Sequence, residues 1–242
     1  MPRDARTDQE RRKARQVREM FGAISARYDL LNHLLSGGID RRWRKVCAGE
    51  VRQCLDRASP KILDVGCGTG DLSMAFAGPA WVAGCDFCQP MLRIGRAKVG
   101  AAGRAGQIAF LAADALTLPF PDGRFDAVVS AFVLRNLASI GQGLAEMRRI
   151  LHPGGVLGIL DFSMPTAPVL GALYRFYFLR ILPRLGKLIS GVDGPYRYLP
   201  ESVGAFPSPV ELRFQIECAG FTAVRYRLLT GGIAVLLLGI AE

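Results

Sequence analysis

The spacing of apolar residues predicts alternating strands and helices through the middle of the chain. Short apolar runs of strand length occur between segments whose apolar residues repeat at helical spacing. The predicted strands span residues 61–65, 81–85, 108–111, 125–131 and 156–162. The predicted helices span residues 71–77, 90–99, 140–151 and 210–219. This alternation predicts an α/β fold in which helices cover both faces of a parallel sheet.

Helical segments are predicted ahead of the alternating region. Residues 17–57 carry apolar residues at helical spacing, with an interruption at residues 36–38, and predict an N-terminal helical cap. Residues 1–16 are polar and basic, so we expect a flexible N-terminus. Residues 17–242 are then expected to form a single domain.

The C-terminal third of the chain departs from this alternation. His-Pro-Gly-Gly at residues 152–155 predicts a turn into the strand at 156–162. Residues 165–206 are rich in aromatic residues, Arg, Pro and Gly, and predict an inserted helical segment. Residues 222–228 and 233–240 flank a Gly-Gly turn and predict a closing antiparallel hairpin.

Composition narrows the class of protein. Half of the 242 residues are apolar and 21% are charged, which supports a sizeable core and argues against extended disorder. The net charge of +10 favours an anionic partner, either nucleic acid or a lipid surface. No apolar run reaches the roughly 18 residues of a membrane span, and the N-terminus has no signal-peptide core. We therefore expect a soluble or peripheral protein on the cytoplasmic side.

The six cysteines are scattered and are expected to be free thiols. Cys85 and Cys88 form one C-x-x-C motif, but no second pair completes a zinc site. We therefore expect small buried side chains here and no metal.

A glycine-rich turn follows the first predicted strand, in Asp64-Val-Gly-Cys-Gly-Thr-Gly70. Glycines at alternate positions allow a positive φ and bring a ligand close to the main chain. The dinucleotide fingerprint is spaced differently, and no G-K-[ST] follows to make a phosphate loop. Asp64 would repel a pyrophosphate, whereas it suits an amino group.

Two further carboxylates follow strands 2 and 3. Asp86 is placed to bind both hydroxyls of a ribose. Asp114 is placed to accept from the adenine amino group, with the Ala115 backbone N–H beside it. Each aspartate alone is also explained as an ordinary strand-end residue, but together with the glycine turn they predict S-adenosylmethionine. The predicted cofactor site comprises Asp64, Gly66, Gly68, Thr69, Gly70, Asp86, Asp114, Ala115 and Ala131.

The region after strand 4 bears on the methyl acceptor. Methyltransferases that modify amino groups of nucleic acids usually carry Asn/Asp-Pro-Pro-Tyr/Phe there, whereas residues 131–136 are Ala-Phe-Val-Leu-Arg-Asn. The chain also lacks a compact basic helix or an aromatic stacking platform. The sequence therefore argues against nucleic acid as a partner despite the positive charge.

Several motifs outside the cofactor site resemble those of the ubiquinone/menaquinone biosynthesis C-methyltransferases. They begin at Gly22, Ser36, Leu118, Leu134, Leu151, Leu160 and Tyr196, and read GAISARYDLLN, SGGIDRRW, LPFPD, LRN, LHPGG, LDF and YRYLPES. The similarity covers about residues 17–235. It implies a class I, Rossmann-like methyltransferase fold and methyl transfer to a ring carbon of a polyprenylated quinol. Asp161 and the Val-Leu-Leu-Leu-Gly ending resemble the naphthoquinol-methylating branch, which implies demethylmenaquinol as the acceptor.

The resemblance also implies roles for three residues. Arg135 and Asn136 are expected at the acceptor pocket, and Tyr28 is expected to reach it from the cap. Arg135 is always charged and cannot act as a base, but it can hold a phenolate oxygen or lower the pKa of a bound water. Asn136 and Tyr28 are expected to bind ring oxygens. The sequence leaves two alternatives open: Arg135 pairs with an acid such as Asp161, and Tyr28 is a packed aromatic.

The inserted segment suggests where the prenyl tail goes. Residues 169–189 are apolar and aromatic with interspersed Arg and Lys. They can line a tail channel or lie on an anionic membrane, or they can simply form a helix pair that covers the core. Another lipid or small aromatic acceptor and an accessory cofactor-binding subunit remain as alternatives. The ring, the tail length, the proton acceptor and the oligomeric state, a homodimer included, stay open.

Overall fold

A computed structural model describes residues 7–165, 167–181, 184 and 195–242. Its seven-stranded sheet has the order β3-β2-β1-β4-β5-β7-β6, with β7 antiparallel to both of its neighbours. The strands are β1 Lys61–Val65, β2 Trp81–Asp86, β3 Ile108–Ala112, β4 Phe125–Ala131, β5 Leu151–Phe162, β6 Phe221–Leu229 and β7 Ala234–Ala241. The predicted parallel sheet and closing hairpin are confirmed.

Helices cover both faces and the carboxyl edge of this sheet. They are α1 Asp8–Ile24, α2 Tyr28–Leu35, α3 Ile39–Gln53, α4 Asp71–Ala75, α5 Gln89–Ala101, α6 Ile140–Ile150, α7 Pro168–Phe176, α8 Pro195–Gly204 and α9 Pro209–Cys218. A π-helical turn, Tyr177–Ile181, extends α7, and a 3₁₀ turn, Leu134–Asn136, follows β4. Within the described ranges, no helix is long and apolar enough to cross a membrane.

The strand order reverses between β1 and β4, and this reversal sets the position of the site. β1 pairs with β2 on one side and with β4 on the other. After β1 the sheet is extended on one side by β2 and β3, and the chain then crosses over so that β4 and β5 extend it on the other side. A crevice therefore opens at the carboxyl ends of β1 and β4, where ligands bind in open α/β sheets. Alternate side chains of the strands enter two buried clusters, one on each face.

The helical cap begins earlier than the sequence indicated. Residues 8–16 belong to helix α1, whereas their polar and basic composition predicts a flexible segment. A capping box explains the start: the Glu10 N–H donates to the Thr7 hydroxyl at 3.3 Å, and the Thr7 N–H donates to the Glu10 carboxylate at 2.7 Å. Residues 1–6 lie outside the described residues.

Two sequence predictions concern the C-terminal half of the chain. The prediction of a turn at residues 152–155 is wrong. β5 already starts at Leu151, which pairs with Phe125, and the two glycines lie within the strand where the register shifts. Helices α7 and α8 form the described parts of the predicted insertion. Residues 166, 182–183 and 185–194 lie outside the described residues.

The glycine turn is fastened to the end of β2. Gly66, Gly68 and Gly70 have φ values of +69°, +54° and +84°. The Gly66 and Cys67 N–H groups both donate to the Cys85 carbonyl, at 2.8 and 3.0 Å. A Cβ atom at Gly70 would lie 2.6 Å from the Phe110 ring. Gly70 is therefore required both by its backbone conformation and by packing.

Gly70→Ala should lower the free energy of unfolding by about 1–3 kcal/mol, because it adds backbone strain to overpacking. Chemical denaturation followed by circular dichroism measures this change. Gly100→Ala is the matched control, since Gly100 lies in α5 and a Cβ atom added there would have no neighbouring atom within 4 Å. The control should change stability by less than about 1 kcal/mol. Equal stabilities of the two variants would contradict this explanation of Gly70.

Candidate active site

A cavity of about 790 Å³ lies at the carboxyl ends of β1, β2 and β4. The structure brings most of the predicted cofactor residues to its wall. These are Gly66, Gly68, Asp86, Asp114, Ala115 and Ala131. Residues that lie far apart in sequence thus meet here because parallel strands end at one edge of the sheet.

A smaller cavity of about 320 Å³ adjoins the first, and the two share Gly66, Gly68 and Ala131. Asp64 and Thr69 line this smaller cavity. All the predicted cofactor residues except Gly70 therefore line one or the other of these two neighbouring cavities. Gly70 is absent from both walls, and its role is the packing against Phe110 described above.

Asp64 is a buried carboxylate with only 1% of its surface exposed. Its Oδ2 accepts a hydrogen bond from the Ser73 hydroxyl at 2.6 Å. Burial raises the pKa of Asp64 to about 7, although the Ser73 hydrogen bond and the Arg44 charge oppose the shift. An amino group bound beside Asp64 would stabilise the carboxylate and remove part of this cost.

Asp86 organises the glycine turn as well as facing the cavity. Its Oδ2 accepts from the Gly68 N–H at 2.9 Å, and its Oδ1 accepts from the Cys88 N–H at 2.7 Å. Burial raises the pKa of Asp86, although these backbone hydrogen bonds lower it. Each carboxylate oxygen keeps a second lone pair, which can accept from a ribose hydroxyl. Asp114 similarly accepts from the Leu116 N–H at 3.0 Å through Oδ1.

Sequence reasoning missed the apolar walls of the cofactor cavity. The additional lining residues are Ala14, Phe21, Phe87, Met91, Ala113, Leu116, Phe132, Val133, Leu137 and Ala138. Phe87 follows Asp86 directly, and that adjacency is the one local signal that could have identified it. Ala14 and Phe21 come from the cap, and only the tertiary structure brings them to the cavity.

Ion pairs and hydrogen bonds fasten the cap to the glycine turn. The Thr69 hydroxyl donates to Asp29 of α2 at 2.5 Å, and the Lys98 ammonium lies 2.8 Å from the same carboxylate. Lys98 also pairs with Asp71, at the start of α4. His33 Nε2 lies 3.5 Å from the Asp71 carboxylate. The cap is therefore attached to the cofactor site through polar contacts.

The network continues into the cap itself. His33 Nδ1 lies 2.9 Å from Asp40, which also pairs with the buried Arg44. Burial alone would raise the pKa of Asp40, but the Ser36 hydrogen bond and the Arg44 charge lower it below its usual value. His33, Asp40 and Asp71 are close enough to hold a metal ion. Each carboxylate already has a cationic partner, so we derive no metal role.

A second cavity, of about 660 Å³, lies on the other side of Tyr28. It shares Phe21, Tyr28 and Phe132 with the cofactor cavity, and we call it the acceptor cavity. Arg135 lies on its wall. Tyr28 borders the cofactor cavity, the smaller cavity and the acceptor cavity. It therefore occupies the junction between the two binding spaces.

Arg135 is fixed by an ion pair. Its Nη1 lies 2.7 Å from Asp161 Oδ1, both side chains are buried, and the guanidinium lies 5.1 Å from the Phe162 ring centroid. The alternative that Arg135 pairs with Asp161 is confirmed, and Arg135 still faces the acceptor cavity. Asn136 was expected there too, but it lines the cofactor cavity, where its Nδ2 donates to the Phe132 carbonyl at 3.2 Å.

A third cavity, of about 760 Å³, lies next to the acceptor cavity, beneath α7 and its π-helical extension. The two share Asn32, Ser36, Phe162 and Leu199. The remaining lining residues are mostly apolar or aromatic: Ile39, Trp43, Tyr174, Tyr177, Phe178, Thr230 and Ile233. We call this space the apolar channel.

The sequence that forms these cavities matches a known protein family. The model of the ubiE/COQ5 methyltransferase family matches residues 7–241. The chain belongs to this family. Its resemblance to the quinone-biosynthesis C-methyltransferases is therefore confirmed over almost its whole length.

Curated relatives cover nearly the whole chain. Demethylmenaquinone methyltransferase of Thermus thermophilus is 51% identical over 91% of this chain and 99% of its own length. That of Deinococcus radiodurans is 47% identical over 94% of this chain and 93% of its own. The ubiquinone/menaquinone biosynthesis C-methyltransferase UbiE of Citrifermentans bemidjiense is 44% identical over 94% of this chain and 97% of its own length.

Solved structures confirm the class I methyltransferase fold. The [4+2]-cyclase SpnF covers 95% of this chain with a TM-score of 0.69 and 16% identity, and 96% of its own chain is matched. A SAM-dependent methyltransferase from Aquifex aeolicus covers 81% of this chain with a TM-score of 0.58 and 20% identity, over 89% of its own chain. At these identities the likeness concerns the fold.

The cofactor of this family is S-adenosylmethionine, and the site fits it. Asp64 lies where an ammonium would be stabilised, and the open lone pairs of Asp86 suit ribose hydroxyls. The main chain at Gly68 borders the cavity without an intervening side chain. The predicted cofactor is therefore confirmed, whereas the role of each residue remains a prediction.

The affinity for S-adenosylmethionine should fall as the pH drops below 7. Asp64 becomes protonated there in the empty site and no longer attracts the cofactor's ammonium group, so the loss approaches about tenfold per pH unit. Asp64→Asn should bind more weakly at pH 8 and show less pH dependence. Titration calorimetry between pH 5.5 and 8.5 measures both effects.

Asp122→Asn is the matched control, because this carboxylate is exposed on the surface. It should reproduce the wild-type pH profile. A flat wild-type profile, or an unchanged affinity of Asp64→Asn, would contradict the assignment of Asp64.

Proposed function

We propose that this protein methylates a ring carbon of a polyprenylated quinol, converting demethylmenaquinol to menaquinol with S-adenosylmethionine as methyl donor. The observation that carries the proposal is the succession of three neighbouring cavities that share wall residues. The cofactor cavity and the acceptor cavity share Tyr28, and the acceptor cavity and the apolar channel share Phe162. A cofactor, a ring and a hydrocarbon tail need such spaces in that order.

The names of the relatives support a naphthoquinol ring. The two relatives at 51% and 47% identity are named demethylmenaquinone methyltransferases, whereas those named for both quinones are 40–44% identical. Asp161 of β5, which resembles the naphthoquinol-methylating branch, is the residue that pairs with Arg135. These observations agree on the same ring class.

The chemistry requires electron density at a ring carbon. S-adenosylmethionine, when bound, supplies an electrophilic methyl group. Loss of the proton from a ring hydroxyl leaves a phenolate, which sends electron density to the adjacent carbon. We assign Arg135 to stabilise that phenolate, because its guanidinium is always charged and faces the acceptor cavity. Methyl transfer breaks the bond between the methyl carbon and the sulfonium sulfur and releases S-adenosylhomocysteine. The methylated ring carbon then loses its hydrogen as a proton and the phenolate oxygen takes up a proton, which restores the aromatic quinol.

Tyr28 is assigned to the junction where the ring meets the cofactor. Its ring packs edge-to-face on Phe21 with centroids 5.8 Å apart. Burial raises the pKa of Tyr28, so its hydroxyl stays protonated. Tyr28 and Phe21 therefore separate bulk water from the junction and hold an apolar wall against the ring.

An exposed apolar surface on α7 and its extension suggests where the prenyl tail of the substrate passes from the membrane into the protein. Leu173, Phe176 and Leu179 are 65%, 58% and 53% exposed. Arg180, which belongs to the same extension, is also exposed. Apolar side chains next to arginines favour contact with an anionic lipid surface. We propose that this surface rests on the membrane beside the apolar channel.

Arg135→Ala should lower kcat by about 100-fold or more, because the positive charge that stabilises the phenolate is lost. Affinity for S-adenosylmethionine should be retained. The variant also leaves the buried Asp161 unpaired, which costs stability by about 3–5 kcal/mol. Methylation of a short-tailed demethylmenaquinol, followed by mass spectrometry, measures the activity.

The double variant Arg135→Ala/Asp161→Asn separates the two roles of Arg135. It removes the unpaired carboxylate, so stability should recover while turnover stays low. Recovery of turnover together with stability would show that Arg135 acts only through the ion pair and would contradict its assignment to the phenolate.

Binding to anionic vesicles should require the exposed apolar residues of α7. Leu173→Ser/Phe176→Ser should bind such vesicles less than the wild type in co-sedimentation at low salt, and added salt should weaken wild-type binding. Val210→Ser/Phe214→Ser is the matched control, because these residues of α9 are equally exposed, at 61% and 65%. Absence of wild-type binding, or equal loss in both variants, would refute the membrane surface.

A further inference from the structure

Unpaired polar atoms are concentrated around the acceptor cavity. Among the described residues, four buried side-chain atoms have no hydrogen-bond partner: Arg135 Nε, Asn136 Oδ1, Asp161 Oδ2 and Tyr198 Oη. Arg135 and Tyr198 line the acceptor cavity, Asp161 pairs with Arg135, and Asn136 lies on the adjoining cofactor cavity. An unpaired buried polar atom costs about 1–3 kcal/mol. Such atoms grouped at one cavity indicate a polar ligand there.

Tyr198 is the member of this group that neither the cofactor nor the Arg135 ion pair explains. It belongs to α8, and it lines the acceptor cavity together with its neighbour Leu199. Burial raises the pKa of Tyr198, the Arg135 charge lowers it and the Asp161 charge raises it. At neutral pH its hydroxyl is therefore a hydrogen-bond donor, and it faces a space that holds the positive charge of Arg135.

The other tyrosine at this cavity is in a different situation. Among the described residues, the Tyr28 hydroxyl is not one of the buried side-chain atoms without a hydrogen-bond partner, whereas the Tyr198 hydroxyl is. Tyr198 therefore carries the unsatisfied hydroxyl at this cavity. A quinol presents two oxygens on opposite sides of its ring, and Arg135 accounts for one of them.

We infer that Tyr198 donates a hydrogen bond to the second ring oxygen of the acceptor, so that α8 makes the site specific for a dihydroxy ring. This inference rests on the proposed function. Tyr198 is then a substrate-binding residue that acts in the ground state and in the transition state alike. Removing its hydroxyl should raise KM more than it lowers kcat.

Tyr198→Phe tests this directly, because it removes only the hydroxyl. For the demethylmenaquinol substrate, kcat/KM should fall roughly 10-fold to 100-fold, mainly through KM. The affinity for S-adenosylmethionine should not change. The melting temperature should stay equal or rise, because an unpaired buried hydroxyl has been removed. Tyr226→Phe, at an exposed position of β6, is the matched control and should leave all of these values unchanged.

Two analogues identify the oxygen that Tyr198 binds. Each lacks one of the two ring hydroxyls, and both are measured as competitive inhibitors of the wild type and of Tyr198→Phe. One analogue should lose affinity in the variant, as the substrate does. The other lacks the oxygen that Tyr198 binds, so it should bind both proteins equally.

The outcomes separate this inference from the proposed function. Equal losses for both analogues, or a lower melting temperature of Tyr198→Phe, would show a structural role for the hydroxyl and overturn the inference. Wild-type kinetics in Tyr198→Phe would overturn it as well, while leaving the proposed function intact. Failure of the wild-type protein to methylate the quinol would overturn the proposed function, and the inference with it.

Discussion

The cost of burying charge at the carboxyl edge of the sheet shapes this protein more than any other interaction. Asp40, Arg44, Asp64, Asp86 and Asp161 are all buried close to that edge. An isolated buried charge costs several kcal/mol, so each of them needs a counter-charge, hydrogen bonds or a ligand. The glycine turn, the cap and strand β5 each meet part of that requirement. The buried polar atoms that these elements leave without a partner indicate which groups the ligands supply.

The cofactor half of the site and the acceptor half meet the requirement differently. Asp86 is held by the backbone N–H groups of Gly68 in the glycine turn and of Cys88 after β2, and it lines the cofactor cavity. Asp64 accepts from the Ser73 hydroxyl, and burial raises its pKa to about 7. In the acceptor half, Arg135 and Asp161 satisfy each other in part, while Arg135 Nε and Asp161 Oδ2 have no hydrogen-bond partner among the described residues.

The cap belongs to the active site and is not a separate module. Asp29 binds Thr69 of the glycine turn, and Phe21 and Tyr28 wall the cavities that the sheet alone would leave open. Side chains of the cap therefore form part of the wall that the cofactor cavity and the acceptor cavity share. The capping box at Thr7 gives α1 a defined start.

Some parts of the fold and of the site could be predicted from the sequence and others could not, and the difference depends on what places each residue. Asp64, Asp86 and Asp114 each follow a strand, so the topology of a parallel sheet brings them together without further information. Asn136 lines the cofactor cavity and not the acceptor cavity because it sits in a 3₁₀ turn, where one residue of rotation decides which cavity a side chain faces. The turn expected at residues 152–155 failed because a strand tolerates glycines at a bulge.

The sequence by itself determined the alternating α/β fold, the cofactor and the family, because each depends on local periodicity or on residues at short spacing. Only the tertiary structure decided that the cap walls the active site, that Arg135 is paired with Asp161, and that Tyr198 lies at the acceptor cavity with a free hydroxyl. The physical reason is that pairing and burial depend on elements far apart in the chain. No local pattern states which polar atoms folding leaves without a partner.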